Sequence, residues 1–185
     1  MANLLYVSTV FLLAVFLVLA PLVIHEMGHW VALRRYHVPV REYWLGLGPV
    51  LLKFGSFRIG MLPIGGALVP DEQTYTALAP RKRMVVALAG PLASVLYGFV
   101  FWCAALINQT IVSGEILFTI AYLSLGIAAI NLLPIPPLDG FQAWASWREA
   151  RNAPLSPTAL HVSQRVGDGL VYGVGFFVLG LVFLR

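Results

Sequence analysis

The stretch LVIHEMGHWVAL, residues 22–33, places two histidines and a glutamate at the end of a long apolar segment. The preceding residues 4–24 are apolar except for Ser8, Thr9 and Pro21. A helix needs about 20 apolar residues to cross the hydrocarbon core of a bilayer, so this segment predicts a membrane span. Ionisable side chains are unfavourable at the edge of such a span unless they have partners, which indicates a function for these three residues.

The composition of the whole chain is typical of a membrane protein. Of its 185 residues, 59% are hydrophobic and 11% are charged, whereas soluble domains contain about 25% charged residues. The net charge of +4 does not indicate nucleic-acid binding, because no basic run is longer than residues 81–83. There is too little polar sequence for a separate soluble domain, so we expect residues 1–185 to form a single membrane domain.

The apolar segments predict an α-helical, polytopic membrane protein with about four spans, at residues 4–33, 84–107, 116–133 and 166–184. The fourth has a short apolar core, because Asp168 and several glycines interrupt it. Most basic residues lie in the connection between the first two spans or in that between the third and fourth. The positive-inside rule therefore predicts that both connections and the histidine motif face the cytoplasm.

The segment between the first two spans contains an apolar stretch that is too interrupted for a helix. Its part PVLLKFGSFRIGML, residues 49–62, has the pattern of two short strands joined by a turn at Gly55 and Ser56. We predict a small membrane-associated β-hairpin at about residues 50–69. The alternative is an ordinary interfacial loop, because open strand edges are tolerated at membrane depth only where protein or a water-filled cavity shields them.

The histidines are spaced as zinc ligands are. His25 and His29 are four residues apart, so on a helix they share a face and lie about 6 Å apart along its axis. Both imidazoles can then reach one tetrahedral Zn²⁺ at about 2.0–2.1 Å. Glu26 lies about a quarter turn away, badly placed as a third ligand but well placed to take a proton from an activated water. The alternative, that these residues only cap the helix at the headgroup level, leaves the cost of desolvating them without a reason.

A catalytic zinc site usually has three protein ligands, and Asp139 is the best candidate for the third. It lies in the segment INLLPIPPLDG, residues 130–140, at the cytoplasmic end of the third span. The prolines stop the helix there, and Gly140 lets the backbone come close. Taken alone, Asp139 could be a turn residue beside a glycine. A site that lacks one ligand on the same side of the membrane favours metal binding instead.

Other polar or small residues inside the spans are less specific. Asn131 precedes Asp139 at the end of an apolar helix, where it could either hydrogen-bond across helices or contact a substrate. Gly90, Ser94 and Gly98 follow one another at four-residue spacing in the second span. That spacing lets helix backbones approach closely in lipid, so we assign these three residues to packing alone.

Four segments together resemble the site-2 protease family of intramembrane zinc metalloproteases, in its bacterial sigma-E-regulating branch. HEMGH at 25–29 matches the family's HExxH motif, and NLLPIPPLDG at 131–140 matches its second motif. AGPLAS at 89–94 resembles the Gly-Pro opening of the helix between them, and RIGMLPIGGALVPDE at 58–72 resembles the membrane re-entrant β-element of that branch. These segments occur in the order that the family shows.

The resemblance implies a role for each motif residue. His25, His29 and Asp139 are expected to bind zinc, Glu26 to act as the general base, and Asn131 to lie near the substrate backbone. The implied location is the bacterial cytoplasmic (inner) membrane, as a multi-pass protein with its active site towards the cytoplasm.

This chain departs from the family pattern in three places. Phe141 stands where the family usually has a second glycine, and Ser94 stands where it usually has an asparagine. Members of this branch carry PDZ domains between the second and third spans, whereas here only residues 108–114 connect them. Gating of the substrate must then come from another element.

The sequence therefore predicts a zinc-dependent intramembrane endopeptidase that cleaves transmembrane segments of single-span membrane proteins, such as anti-sigma factors or signal-peptide remnants. An edge strand of the hairpin, at Ile59 and Met61, is expected to hold the unwound substrate by β-augmentation. The lipid bilayer is the expected surrounding. The alternative is a polytopic metal-binding or carrier protein without hydrolytic activity, a degenerate protease. A membrane protease for lipidated peptides is a weaker alternative, because it would use a downstream glutamate ligand.

Overall fold

The computed structural model describes residues 2–108, 111–156, 158–163, 165–167, 169 and 173. Their main elements are five helices and one antiparallel β-ribbon, and residues 158–163 are also helical. In chain order the elements are α1 (Ala2–Arg35), β1 (Val40–Phe54), β2 (Phe57–Pro70), α2 (Glu72–Thr76), α3 (Pro80–Ile107), α4 (Ile111–Asn131) and α5 (Asp139–Ala150).

The first three predicted spans fall on the three long helices. The span predicted at 4–33 lies inside α1, and the span at 84–107 lies inside α3. Helix α4 ends at Asn131, two residues before the predicted end, because residues that approach a proline are disfavoured in helical conformation. Within the described part of the chain, two helices are long and apolar enough to cross a membrane, Pro80–Ile107 and Gly114–Asn131. Most of the fourth predicted span, 166–184, lies outside the described residues.

Small residues let the long helices approach each other closely. A Cβ atom on Gly28 of α1 would lie 2.3 Å from the carbonyl oxygen of Ala89 on α3. A Cβ atom on Gly98 of α3 would lie 2.9 Å from Leu125 Cγ on α4. The packing role predicted for Gly98 is therefore confirmed. Large apolar side chains of α3, such as Phe99, instead point away from the protein, as lipid-facing residues do.

The β-ribbon is longer than the predicted hairpin. Its turn is at Gly55 and Ser56 as predicted, with Gly55 at a φ of 57°, but β1 begins at Val40 rather than near residue 50. The register is irregular, so that Tyr43 pairs with Leu68 and also with Phe57. Glycines and a proline at 46–49 break the strand pattern in the sequence, and such residues are typical of bulges.

Two short helices were not predicted. Asp71 caps α2 by accepting a hydrogen bond from the backbone N–H of Thr74 at 3.0 Å. Helix α5 begins at Asp139 and buries one face, which consists of Gly140, Phe141, Ala143 and Ser146. It packs against α3, where Glu149 accepts a hydrogen bond from Arg83 at 2.5 Å. Glu149 therefore ties α5 to the start of α3.

The basic ends of two helices meet on one side of the molecule. Val86 of α3 packs in a small core with Ala32, Leu33 and Val38, the residues at the end of α1. The amino group of Lys82 lies 5.5 Å from the centre of the Tyr36 ring, a cation–π contact. This side holds the last turns of α1 and the first turns of α3, and it is where the predicted site lies.

Candidate metal centre

Helix α1 presents both histidines to the interior of the helix packing. His25 is only 3% exposed, and the centres of the His25 and His29 rings are 5.0 Å apart. Their Nε2 atoms face each other at 3.2 Å. The four-residue spacing on a helix therefore converges the two imidazoles, as the sequence predicted.

Asp139, 114 residues after His25 in the sequence, lies beside the two histidine rings. Its Oδ2 atom lies 3.0 Å from Nε2 of His25 and 3.3 Å from Nε2 of His29. As the first residue of α5, Asp139 follows the turn at which the proline-rich segment leaves α4. Gly140 makes this turn possible, because a Cβ atom there would lie 2.2 Å from the carbonyl oxygen of Leu132. The structure thus brings together the three ligands that the sequence predicted.

The distances among the three ligand atoms fit a tetrahedral zinc ion. Atoms bound at about 2.0–2.1 Å in tetrahedral directions lie about 3.3–3.4 Å from one another. The observed separations are 3.0, 3.2 and 3.3 Å. In the described part of the chain, His25, His29 and Asp139 thus form a group that could hold a metal ion.

Hydrogen bonding prepares His29 for a cation. Its Nδ1 lies 2.8 Å from the carbonyl oxygen of Val86, which can only accept a hydrogen bond. The proton is therefore on Nδ1, and Nε2 directs its lone pair towards His25 and Asp139. This pattern, in which a ligand histidine donates its other N–H to a backbone carbonyl, is typical of metal sites.

Two residues of α3 contribute to the site although the sequence analysis assigned them to packing alone. A Cβ atom on Gly90 would lie 2.2 Å from Nε2 of His29, so this glycine leaves the space that the ring occupies. Ser94 Oγ lies 3.0 Å from Nδ1 of His25. The restriction to packing was therefore wrong for both. The only signal in the sequence was their four-residue spacing, which matches that of the two histidines.

Glu26 lies beside the three ligands and next to the β-ribbon. Its side chain is half-buried, and a Cβ atom on Gly66 of β2 would lie 3.1 Å from Glu26 Cγ and Oε1. The backbone of β2 therefore passes directly over the carboxylate. The sequence predicted that Glu26 would stand apart from the ligand set, and it is not part of the group of three.

The residues expected near a substrate lie in different places. Asn131 ends α4, and its Nδ2 donates to the carbonyl oxygen of Ile127 in the same helix at 3.0 Å, rather than across helices. Ile59 pairs with both Leu45 and Leu52, so it lies inside the ribbon. Met61 is 50% exposed. A substrate role for these residues remains a prediction.

Charged residues also order the connection that carries the ribbon. Hydrogen bonds from Thr74 and the guanidinium of Arg41 lower the pKa of Asp71 from 3.8 to about 2. Hydrogen bonds from Trp44 and Arg58 lower the pKa of Glu42 below its ordinary value. Asp71 therefore ties β1 to the start of α2, whereas Glu42 joins the two strands of the ribbon to each other.

A helical membrane fold with an HExxH helix, an aspartate from a later turn and a ribbon over the glutamate defines a membrane metalloprotein of the zincin type. Comparison with known proteins identifies the family to which the chain belongs. The family model of peptidase family M50 matches residues 11–114 and 108–174. The chain therefore belongs to peptidase family M50, a metalloprotease family.

Individual relatives agree with this assignment. A protein of Methanocaldococcus jannaschii described as a candidate zinc metalloprotease is 31% identical over 140 residues, which cover 71% of this chain and 68% of that protein. The regulator of sigma E protease of Haemophilus influenzae is 32% identical over 97 residues, which cover 43% of this chain and 22% of that protein. The matches to relatives from Treponema pallidum and Thermotoga maritima each span 21% of the relative. The chain thus spans about a fifth of several curated relatives that it matches.

A solved structure supports the fold. The site-2 protease from Methanocaldococcus jannaschii matches with a TM-score of 0.57 at 21% sequence identity. The match covers 92% of this chain and 68% of that one. The fold described above is therefore shared with a solved site-2 protease.

Proposed function

We propose that this protein is a zinc-dependent intramembrane endopeptidase that cleaves transmembrane segments of single-span membrane proteins. The observation that carries the proposal is the convergence of His25, His29 and Asp139 with separations of 3.0–3.3 Å between their ligand atoms. The next residue after the first histidine is a half-buried glutamate. A site that only stores a metal ion has no need of a glutamate held beside the ligands.

The chemistry of peptide hydrolysis divides between the metal and this chain. A bound zinc ion polarises a carbonyl oxygen and lowers the pKa of water to about 7. Glu26 takes the proton of the attacking water on its carboxylate and passes it to the leaving amine. His25, His29 and Asp139 would hold the ion, while the hydrogen bonds at Nδ1 of the two histidines fix the orientation of their rings.

The β-ribbon is the proposed holder of the substrate. A helical peptide bond is shielded by its own turns, so the substrate must be extended before it reaches Glu26. The strand β2 passes over Glu26 at Gly66, and an extended segment laid beside β2 by β-augmentation would be directed to the carboxylate. A proline at Met61 should lower cleavage and leave zinc binding intact. Ile59 pairs with Leu45 and Leu52 on its two sides, so a proline there would disrupt the ribbon itself and does not test substrate binding.

The distribution of charge supports the proposed orientation. Arg34 and Arg35 end α1, and three further basic residues begin α3 on the same side of the molecule as the metal centre. By the positive-inside rule this side faces the cytoplasm. We place the protein in the bacterial inner membrane with its active site near the cytoplasmic surface. Anti-sigma factors fit as substrates, because one relative is named a regulator of sigma E protease.

The test is the substitution Glu26→Gln, which removes the base and keeps the size of the side chain. We expect it to abolish cleavage of a single-span membrane protein in liposomes while the zinc content stays at the wild-type level. Glu115→Gln is the matched control, because Glu115 is an exposed acid on α4 at the opposite end from α5. If Glu26→Gln cleaved as fast as wild type, the protein would be a metal-binding or carrier protein rather than a protease.

A further inference from the structure

Two fully buried serines lie behind His25. Ser94 of α3 and Ser124 of α4 are both 0% exposed. Ser94 Oγ lies 3.0 Å from Nδ1 of His25, and the hydroxyl of Ser124 donates to the carbonyl oxygen of Ser94 at 2.9 Å. Hydrogen bonds thus connect α1 to α3 and α3 to α4 beside the metal centre.

We propose that Ser94 is the positioning residue for His25 and that Ser124 holds Ser94 in place. This inference rests on the proposed zinc site. Hydrogen bonding of a ligand histidine through its other ring nitrogen sets both its tautomer and its orientation. Ser94 occupies the position that provides this bond to His25, as the carbonyl oxygen of Val86 does for His29.

The two histidines differ in the kind of partner that they have. A carbonyl oxygen only accepts, so it holds His29 in one tautomer. A hydroxyl both donates and accepts, so it satisfies Nδ1 of His25 whether or not that nitrogen carries the proton. Without metal, Nε2 of His25 can therefore donate to Asp139, 3.0 Å away. A bound metal ion would need the lone pair of Nε2, so the proton would then be on Nδ1 and the Ser94 hydroxyl would accept it. The same serine can therefore hold the ring in either tautomer.

Ser124 connects the hydrogen bond between Ser94 and His25 to α4, the helix that precedes the third ligand. Its hydroxyl anchors the backbone of α3 at Ser94, and one turn later Gly98 brings α3 close to Leu125. Helix α4 then continues to Asn131, and the turn after it ends at Asp139. The relative positions of His25 and Asp139 therefore depend on the contact between α3 and α4.

The experiment measures zinc affinity of the purified full chain in detergent by competition with a chromophoric chelator. Ser94→Ala removes the partner of Nδ1 without adding volume, and we expect zinc affinity to fall by about 10–100-fold, the usual effect of losing such a partner. Ser94→Thr keeps the hydroxyl and should restore most of the affinity. Ser124→Ala should lower the affinity by less than Ser94→Ala, because it acts only through the backbone. Ser146→Ala, at another buried serine, is the matched control and should bind zinc as wild type does.

A spectroscopic measurement separates positioning from a general loss of structure. The visible absorption bands of the cobalt-substituted protein report the ligand geometry, and we expect them to shift in Ser94→Ala and not in Ser146→Ala. Wild-type affinity and an unchanged cobalt spectrum in Ser94→Ala would overturn the role of Ser94 and leave the proposed function standing. Unchanged affinity in Ser124→Ala would remove Ser124 from the proposal. If the wild-type chain bound no zinc, the proposed function and this inference would both fail.

Discussion

The substitution Gly90→Ala tests the position of the His29 ring with a single methyl group. Gly90 lies in the middle of α3, and its missing side chain leaves the space for His29. The added carbon would lie 2.2 Å from Nε2, 2.6 Å from Cδ2 and 2.7 Å from Cε1 of that ring. The collision is therefore with the metal-binding edge of the imidazole rather than with a flexible chain end.

The size of the effect follows from these distances. Ordinary van der Waals contact begins at 3.4 Å, so Nε2 must move by about 1.2 Å. Zinc–ligand distances tolerate deviations of only about 0.2 Å. The movement would also break the 2.8 Å hydrogen bond between His29 and Val86. We expect zinc affinity to fall by at least about 100-fold, at or beyond the upper end of what the loss of an outer hydrogen bond causes.

The stability of the metal-free protein should fall much less than its zinc affinity. Alanine in a helix interior is more favourable than glycine by about 0.5–1 kcal/mol, whereas crowding of a packed side chain costs about 1–3 kcal/mol, so we expect the metal-free chain to lose no more than about 2.5 kcal/mol of unfolding free energy. The assay is chelator competition for zinc together with thermal unfolding of the metal-free protein. Gly126→Ala on α4 is the matched control, because a Cβ atom there meets nothing within 4 Å. Wild-type zinc affinity in Gly90→Ala would show that His29 is not a ligand in the position described.

Three further substitutions test other parts of the structure. Gly140→Ala should lower zinc affinity and cleavage, because the added carbon would lie 2.2 Å from the carbonyl oxygen of Leu132 and push Asp139 away; metal analysis measures this. Asp139→Asn should abolish stoichiometric zinc with an unchanged helical circular dichroism spectrum. Asp71 should titrate near pH 2 instead of 3.8 by carbon NMR, and Arg41→Gln should raise that value. The stabilisation by Asp71 is therefore complete above its unfolded pKa and is lost as the pH falls towards 2.

The sequence predicts the three long helices and the metal ligands because both depend on local periodicity. An apolar segment of sufficient length predicts a span whatever lies around it. Two histidines four residues apart share a helix face before any tertiary contact forms. Asp139 needed one further argument, the helix stop at the prolines together with the ligand that the site lacked. The structure places it within 3.3 Å of both histidine Nε2 atoms.

The remaining features depend on contacts between distant segments. The first half of β1 is interrupted by Gly46, Gly48 and Pro49, so its pattern does not predict a strand. Tyr43 of β1 pairs with Phe57 as well as with Leu68, and the pair with Phe57 forms only when the ribbon folds back on itself. Helix α5 follows directly after prolines and has a short apolar face, which packs on α3. Neither element has a periodicity long enough to predict it from sequence alone.

Ser94 shows why packing and function cannot be separated by spacing alone. A small residue every fourth position allows close approach of helices in lipid, and it equally allows a ligand helix to approach a hydrogen-bond partner. Only the positions of the histidine rings distinguish a packing role from a role in the site. The His25 ring lies 3.0 Å from Ser94 Oγ, and the His29 ring fills the space left by Gly90.

The metal centre depends on backbone approach at three glycines, Gly28, Gly90 and Gly140. At each of them a Cβ atom would lie within 2.3 Å of another group, so each permits a contact that no other residue type allows. These glycines lie in α1, α3 and α5, the elements that carry the ligands or their partners. Their substitution should therefore weaken metal binding by displacing a ligand or the element that carries it, whereas substitution of Glu26 should slow proton transfer with the metal in place. The three glycines thus determine whether the metal site forms, and Glu26 determines the rate of proton transfer once it has formed.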